Sequence, residues 1–163
     1  WIRATCLSDN PLFFAFVDVA TGKAVGLASY LNINRAYGTI EVGHVHFAPV
    51  MQRSRIASEA MYLMMRHAFD AGYRRYEWKC NMLNAPSRAA AQRFGFSYEG
   101  IFRQHMVVRG ENRDSAWYAC IDGEWPALKR AFETWLDDAN FDADGRQVQS
   151  LSNLTRPILV ATD

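Results

Sequence analysis

The stretch that decides the fold runs from Thr39 to Ala57 and reads TIEVGHVHFAPVMQRSRIA. Its first half, Thr39 to Phe47, is rich in β-branched and aromatic residues and predicts a strand. Pro49 ends this strand, because proline lacks the N–H that a strand ladder requires. From Ile56 to Phe69 apolar residues recur at helical spacing, which predicts a helix with one buried face. The stretch therefore joins a strand to a helix N-terminus through a short loop.

Two more strands are predicted before this stretch, Leu12 to Asp18 and Ala24 to Leu31, with a turn at Thr21 to Lys23 between them. Strands on short connections pair antiparallel, so we expect the three strands to form a β-meander. After the helix, Gly72 is a typical stop, and Tyr73 to Cys80 alternates in polarity like a fourth strand. A strand, helix and strand in succession predict a right-handed β-α-β crossover.

The second half of the chain is predicted to form a short helix, a β-hairpin and a longer helix. Asn84 is expected to cap a short helix with Pro86 in its first turn. Phe96 to Val108 and Arg113 to Ile121 are predicted as the strands of a β-hairpin, and Trp125 to Ala139 as an amphipathic helix. The predicted fold class is α+β: an antiparallel β-meander, a β-α-β crossover, a short helix, a β-hairpin and a C-terminal helix around a mixed sheet.

Composition limits the classes of function. The 163 residues carry 18 Lys and Arg against 17 Asp and Glu, and a net charge of +1 argues against nucleic acid as a partner. No apolar run approaches the ~20 residues of a membrane span. Three cysteines without a C-x-x-C pair indicate neither a disulfide framework nor a zinc site. We therefore expect a cytoplasmic protein that binds neither nucleic acid nor a membrane.

The segment Gln52 to Ala57 resembles motif A of the GNAT acetyltransferases, in which Q/R-x-x-G-x-G/A follows a strand at a helix N-terminus. Asn84 to Ser87 with Phe94 to Phe96 is similar to the second motif of that superfamily. The run from Glu99 to Trp125 is similar to its RimJ/RimL branch, the ribosomal-protein-alanine acetyltransferases. The resemblance extends from Leu12 to Ala139 and implies a GNAT-like fold.

This resemblance implies an acetyl-CoA-dependent N-acetyltransferase that moves an acetyl group to a primary amine, with no metal. The acceptor is expected to be a protein N-terminal α-amine or a small-molecule amine, and the protein a monomer or homodimer. We expect one acetyltransferase domain over residues 1–140, with an N-terminal strand and helices missing, and a C-terminal tail over residues 141–163. A non-catalytic acyl-CoA-binding or interaction module on the same fold is the alternative.

The helix N-terminus presents free N–H groups and the positive end of the helix dipole, which suit a pyrophosphate. Arg55 stands at the first glycine position of the motif and lacks the conformational freedom of glycine. Arg53 and Arg55 can donate to phosphate, or they merely solvate an exposed turn. The cofactor-binding residues that the resemblance implies are His46, Phe47, Gln52, Arg53, Ser54, Arg55, Ile56, Ala57, Asn84 and Ser87.

Glu41 is the predicted general base, because an amine must lose a proton before it attacks a thioester, and burial can raise a carboxyl pKa enough for that task. The resemblance agrees, because many GNAT enzymes carry a catalytic Glu eleven positions before the Gln of the motif. A solvated strand carboxylate is the alternative. Strict alternation places Glu41, Gly43, Val45 and Phe47 on one face of the strand. A bulge between Gly43 and Phe47 would let backbone N–H groups pair with the pantetheine arm and form an oxyanion hole.

Asn84 is where the family's Asn bonds the pantetheine arm, and a plain helix cap is the alternative. The tyrosine that many GNAT enzymes carry seven residues later is Ala91 here. We therefore assign Ser87 as the catalytic hydrogen-bond donor to the leaving thiolate, with an ordinary first-turn serine as the alternative. His44 and His46 are expected on the face opposite Glu41, and they lack a third ligand for a metal. Candidates for the acceptor side are Trp78, Lys79, Tyr98, Glu99, Arg103 and His105.

Overall fold

The computed structural model describes residues 5–163 of the chain. The chain divides into two compact units, Trp1–Tyr76 and Glu77–Asp163. Among the described residues the strands and helices follow one another in the predicted order, and several of the predicted strand ends are correct to the residue.

The first unit holds the predicted meander. Strands β1 (Leu12–Asp18), β2 (Lys23–Asn34) and β3 (Thr39–Phe47) pair antiparallel in chain order. Helix α1 (Arg55–Asp70) follows β3 and buries an alanine- and methionine-rich face, as its spacing predicts. Tyr30 of β2 fixes this helix, because its hydroxyl donates to the Met64 carbonyl oxygen at 2.6 Å in a buried position. Because alternate side chains of a strand share a face, Ala28 lies with Tyr30 on the α1 side of the meander.

Strand β4 (Arg75–Asn81) ends the first unit and continues into the second, which holds helix α2 (Ala85–Arg93), strands β5 (Ser97–Val108) and β6 (Glu111–Ile121) and helix α3 (Trp125–Leu136). In this unit β6 lies between β4 and β5. Strands β5 and β6 form the predicted hairpin. Its turn is at Arg109 and Gly110, whose positive φ angles of 55° and 83° are typical of a two-residue hairpin turn, so β6 begins two residues before its predicted start at Arg113.

Helix α3 ends at Leu136, three residues before its predicted end at Ala139. The reason is Asp137, whose backbone is extended and whose carboxylate accepts a hydrogen bond from the Ala139 N–H. A short acidic side chain that bonds to the backbone in this way competes with continuation of a helix.

The segment after α3 is more ordered than its lack of periodicity suggests. It contains two single-turn 3₁₀ helices, Asp138–Asn140 and Arg156–Ile158, and helix α4 (Leu151–Thr155). Leu151 and Thr155 are fully buried, and the Thr155 hydroxyl donates to the Arg93 carbonyl oxygen at the end of α2. The boundary between a domain over residues 1–140 and a tail over 141–163 stays a prediction. Within residues 5–163, no helix is both long and apolar enough to span a membrane.

Candidate active site

Strand β3 contains the bulge that coenzyme binding was expected to require. Ser29 pairs with Gly43 but Leu27 pairs with His46, so β3 holds one residue more than β2 over this interval. His44 lies in the bulge with a left-handed φ of 50°, which is uncommon outside glycine. The extra residue reverses the alternation of side chains after Gly43.

The predicted faces of β3 are therefore wrong beyond Gly43. His46 lies opposite Leu27, on the face that Glu41 and Gly43 share with Leu31 and Ser29. Phe47 lies on the other face, where its ring centroid is 6.0 Å from that of Phe16. His44 turns toward the Glu41 face as well. Its Nδ1 is 2.7 Å from the Ser29 Oγ, and its ring is 5.1 Å from the ring of Phe13, which pairs with Ser29.

Glu41 is buried, with 5% of its surface exposed. The Asn32 side-chain amide donates to its Oε2 at 2.7 Å. Asn32 has a left-handed φ of 49°, which asparagine tolerates better than most residues. Gly43, on the same face, has no space for a side chain, because a Cβ there would lie 2.7 Å from a methyl group of Leu31. Glu41 is thus a buried, hydrogen-bonded carboxylate on the face of the meander away from α1, rather than a solvated one.

The loop between β3 and α1 is anchored by a buried methionine and a side-chain hydrogen bond. Met51 is 1% exposed, and a Cβ at Gly26 would lie 2.8 Å from its sulfur. The exposed Gln52 donates from Nε2 to the Phe47 carbonyl oxygen at 3.1 Å. The motif glutamine therefore closes the loop onto the end of the strand, and the rest of the loop faces outward.

Ser54 caps α1. Its Oγ accepts from the Ala57 N–H at 3.2 Å and donates to the Met51 carbonyl oxygen at 2.6 Å. Arg53, just before the cap, has a left-handed φ of 58°, whereas Arg55 opens the helix without a positive φ. Both arginines are exposed, and they flank the Ser54 cap in the sequence. The position that favours a glycine conformation is thus Arg53, not Arg55.

The second unit has a capped helix N-terminus of its own. The Asn84 Oδ1 accepts from the Ser87 N–H at 3.1 Å, which confirms the predicted cap. The Ser87 Oγ accepts from the Trp78 indole N–H at 3.1 Å. Burial raises the pKa of the Cys80 thiol, opposed by a hydrogen bond from Ser87, which fits an inert cysteine. Ala91, seven residues after Asn84, is fully buried.

The residues suggested for the acceptor side divide between the two faces of the second unit. Trp78 and Tyr98 lie on the side of α2 and Tyr118. Lys79 instead lies 3.8 Å above the ring of Trp117, and the His105 Nδ1 is 2.9 Å from the Ser115 Oγ. Trp117 is not among the acceptor-side candidates from the sequence, although it alternates with Tyr118 and so lies on the same face of β6 as Ser115.

Asp163 is the centre of a hydrogen-bond network on α2 that the sequence did not suggest. Asp163 accepts hydrogen bonds from the Arg88 Nε at 2.6 Å, from the Tyr118 hydroxyl and from the Gln92 side-chain amide. Arg88 also donates to the Met82 carbonyl oxygen, in the turn before α2. Among the described residues no group of three or more His, Cys, Asp or Glu side chains is placed to hold a metal ion.

Comparison with known proteins identifies the family. Residues 1–96 match the acetyltransferase (GNAT) family, and the chain belongs to it. A crystal structure of a GCN5-related N-acetyltransferase from Brucella melitensis is 50% identical, with a TM-score of 0.92 over 96% of this chain and 71% of that chain. This likeness confirms the predicted fold class, a mixed α/β fold of the GNAT type.

Two other similar proteins carry related descriptions. A probable GNAT-family acetyltransferase from Chromobacterium violaceum is 42% identical, with a TM-score of 0.75 over 78% of this chain and 64% of that one. The uncharacterized N-acetyltransferase YnaD of Bacillus subtilis is 31% identical over 88 residues, which are 53% of this chain and 51% of YnaD. The chain thus spans about half the length of this curated relative.

Proposed function

We propose that this chain is the catalytic part of an acetyl-CoA-dependent N-acetyltransferase of the RimJ/RimL-like kind, acting in the cytoplasm on a primary amine by direct attack. The observation that carries the proposal is the strand, loop and helix from β3 to α1. A bulged strand, a closed loop and a capped helix N-terminus flanked by Arg53 and Arg55 together suit a pantetheine pyrophosphate.

The residues of the chain fit this coenzyme. A helix N-terminus offers backbone N–H groups and the positive end of the helix dipole to an anion, and at α1 the Ser54 Oγ holds the Ala57 N–H. Arg53 and Arg55 supply positive charge at the same place, and their exposure leaves them accessible. The coenzyme supplies an acetyl thioester, whose sulfur is a good leaving group.

Glu41 is the proposed acceptor of the amine proton. Acetylation of an ammonium group requires the loss of two protons from nitrogen, one of which neutralises the departing thiolate. A buried carboxylate held by Asn32 has a fixed orientation, which general-base catalysis requires. Ser87 is the proposed donor to the thiolate, oriented by the indole of Trp78.

The first experiment is titration calorimetry with acetyl-CoA, followed by an acetyl-transfer assay with peptide N-termini, polyamines, amino acids and antibiotic amines. Micromolar binding and turnover with one acceptor class would support the proposal. Glu41→Gln should then lower kcat by about 10²-fold or more while the dissociation constant for acetyl-CoA stays within twofold. Unchanged kcat in Glu41→Gln would remove Glu41 from the mechanism.

The second candidate function is a non-catalytic acyl-CoA-binding or interaction module, which Ala91 in place of tyrosine favours. Retained acetyl-CoA binding without turnover over the whole amine panel would support this alternative. Loss of binding altogether would overturn both candidates and indicate that Arg55 excludes the coenzyme.

A further inference from the structure

The bulge of β3 brings two exposed histidines, His44 and His46, to the face that holds Glu41, and the left-handed residue of the bulge is His44. His44 is exposed and holds a left-handed φ of 50°, a conformation that is strained for a residue with a Cβ. Bulges next to active sites commonly redirect a side chain in this way. The strain at His44 therefore places its ring where regular alternation would not.

A buried serine fixes that ring. Ser29 has no exposed surface, and its Oγ lies 2.7 Å from the His44 Nδ1 and 3.4 Å from the Gly43 carbonyl oxygen. A hydroxyl has one hydrogen to donate. When that hydrogen goes to the Gly43 oxygen, Oγ accepts from the Nδ1–H, and the lone pair of the imidazole is then on Nε2. The ring of Phe13, 5.1 Å away, packs against the imidazole and holds its orientation.

Glu41 alone leaves a step of the proposed reaction incomplete. A carboxylate that is 5% exposed can take a proton but has little contact with the water that must receive it. His44 is exposed on the same face, and an imidazole nitrogen in contact with water can pass a proton to it. Glu41 is buried and His44 is exposed, three residues along the same strand. This difference suits Glu41 to accept a proton inside the site and His44 to carry a proton to solvent.

We propose that His44 is a catalytic residue of the transfer reaction, with Ser29 as its positioning residue. This inference rests on the proposed function. The exposed Nε2 takes the first proton from the substrate ammonium and releases it to water. The amine nitrogen then forms the C–N bond to the acetyl carbon as the C–S bond breaks, and the sulfur keeps the electron pair of that bond. Glu41 accepts the second nitrogen proton, which then neutralises the thiolate.

The test compares His44→Asn with the wild-type chain. Asparagine tolerates the left-handed backbone and can still bond Ser29, but it has no basic nitrogen. We expect kcat for the amine acceptor to fall about 10²-fold or more, with the dissociation constant for acetyl-CoA within twofold. His67→Asn, the same change at an exposed histidine of α1, is the matched control and should leave kcat unchanged.

A chemical rescue makes the test independent of folding. His44→Gly accepts the positive φ and leaves room for free imidazole, which should restore part of kcat in proportion to its concentration. Ser29→Ala should lower kcat about tenfold in the wild-type chain but cause no further loss in the His44→Gly background, because the two residues act as one unit.

Nitrogen NMR of the His44 ring supplies a reading that does not depend on turnover. We expect the tautomer with Nδ1 protonated and Nε2 free. A tautomer with Nε2 protonated, or kcat in His44→Asn within twofold of wild type, would overturn the role of His44 while the proposed function stands. A wild-type chain that binds acetyl-CoA but transfers to no amine would overturn the proposed function itself, and the role of His44 with it.

Discussion

Helices α1 and α2 begin with the same local structure and differ in everything around it. Ser54 caps α1 by accepting from the third residue beyond it, and Asn84 caps α2 in the same way, at 3.2 and 3.1 Å. The start of α1 has exposed arginines on both sides of its cap. The start of α2 contains Pro86 and Ser87, and the Ser87 hydroxyl accepts a hydrogen bond from the buried Trp78 indole.

This difference teaches how one local motif serves two purposes. Each cap satisfies one of the first N–H groups of its helix, and the positive end of the helix dipole can still attract a ligand. At α1 the added charge suits phosphate, whereas at α2 a neutral, oriented hydroxyl suits an amide or a thiolate. The residues next to the cap, rather than the capping residue itself, therefore distinguish the N-terminus of α1 from that of α2.

The largest expected effect comes from removing the charge at α1. We expect Arg53→Ala combined with Arg55→Ala to weaken acetyl-CoA binding by about 10- to 100-fold, because each charge-assisted hydrogen bond contributes about 1.5–3 kcal/mol and exposure reduces that contribution. Titration calorimetry at low and high salt measures this, and added salt should shrink the loss. Arg35→Ala combined with Arg66→Ala removes the same charge from the same unit and should leave the affinity unchanged.

A single change at Arg55 sharpens the comparison. Arg55→Gly restores the residue type of the motif, yet Arg55 has no positive φ for glycine to relieve. We therefore expect Arg55→Gly to weaken acetyl-CoA binding rather than to strengthen it. Tighter binding in this variant would mean that the arginine obstructs the coenzyme.

The corresponding change at α2 is smaller. We expect Ser87→Ala to lower kcat by about tenfold with little change in acetyl-CoA affinity, because a hydroxyl donor helps a thiolate that already leaves readily. Ser87→Thr keeps the hydroxyl and should retain most of the rate. Ser152→Ala, at an exposed serine of α4, controls for loss of a surface hydroxyl. Equal rates in Ser87→Ala and the wild-type chain would leave Ser87 with a structural role only.

The sequence predicts the two caps and the strands that lead to them because these depend on neighbouring residues. Ser54 and Asn84 precede their helices at the position that a cap requires, and Pro49 ends β3. The bulge at His44 was hidden because it depends on the register between β2 and β3. A one-residue shift of this kind moves every later side chain to the other face, which explains the error at His46 and Phe47.

The bond between Ser87 and Trp78 and the network at Asp163 were hidden for a related reason. Trp78 and Ser87 are nine residues apart on different elements, and Asp163 bonds to Arg88 across 75 residues. Such pairs appear only when tertiary packing is known. By contrast, the shortened end of α3 was open to prediction, because Asp137 is a residue type that interrupts helices by local hydrogen bonding.

The smallest expected effect comes from the Asp163 carboxylate, which bonds to residues of α2 and not to α1. Burial raises the pKa of the Asp163 carboxyl, but hydrogen bonds from Tyr118 and Arg88 and the charge of Arg88 outweigh it, so the pKa lies below its usual value. A carboxyl whose pKa is lower in the folded state stabilises the fold above its unfolded pKa, about 3.9, and loses that contribution as the pH falls through the folded value. Asp163→Asn should therefore lower the free energy of unfolding at pH 7 by about 1 kcal/mol.

That loss should disappear in acid, because the wild-type carboxyl is then protonated as well. Urea unfolding of both chains between pH 7 and pH 2.5 measures the difference, and Asp144→Asn, at an exposed carboxylate paired with Arg146, is the control. Amide exchange should quicken in α2, whose Arg88 and Gln92 bond to Asp163, and stay unchanged in α1, which is held by its own buried face and by Tyr30. A difference in unfolding free energy that stays constant at every pH would mean that the shape of residue 163 matters rather than its charge. An Asp163→Asn variant whose amide exchange rates in α2 match those of the wild-type chain would mean that α2 does not depend on this carboxylate.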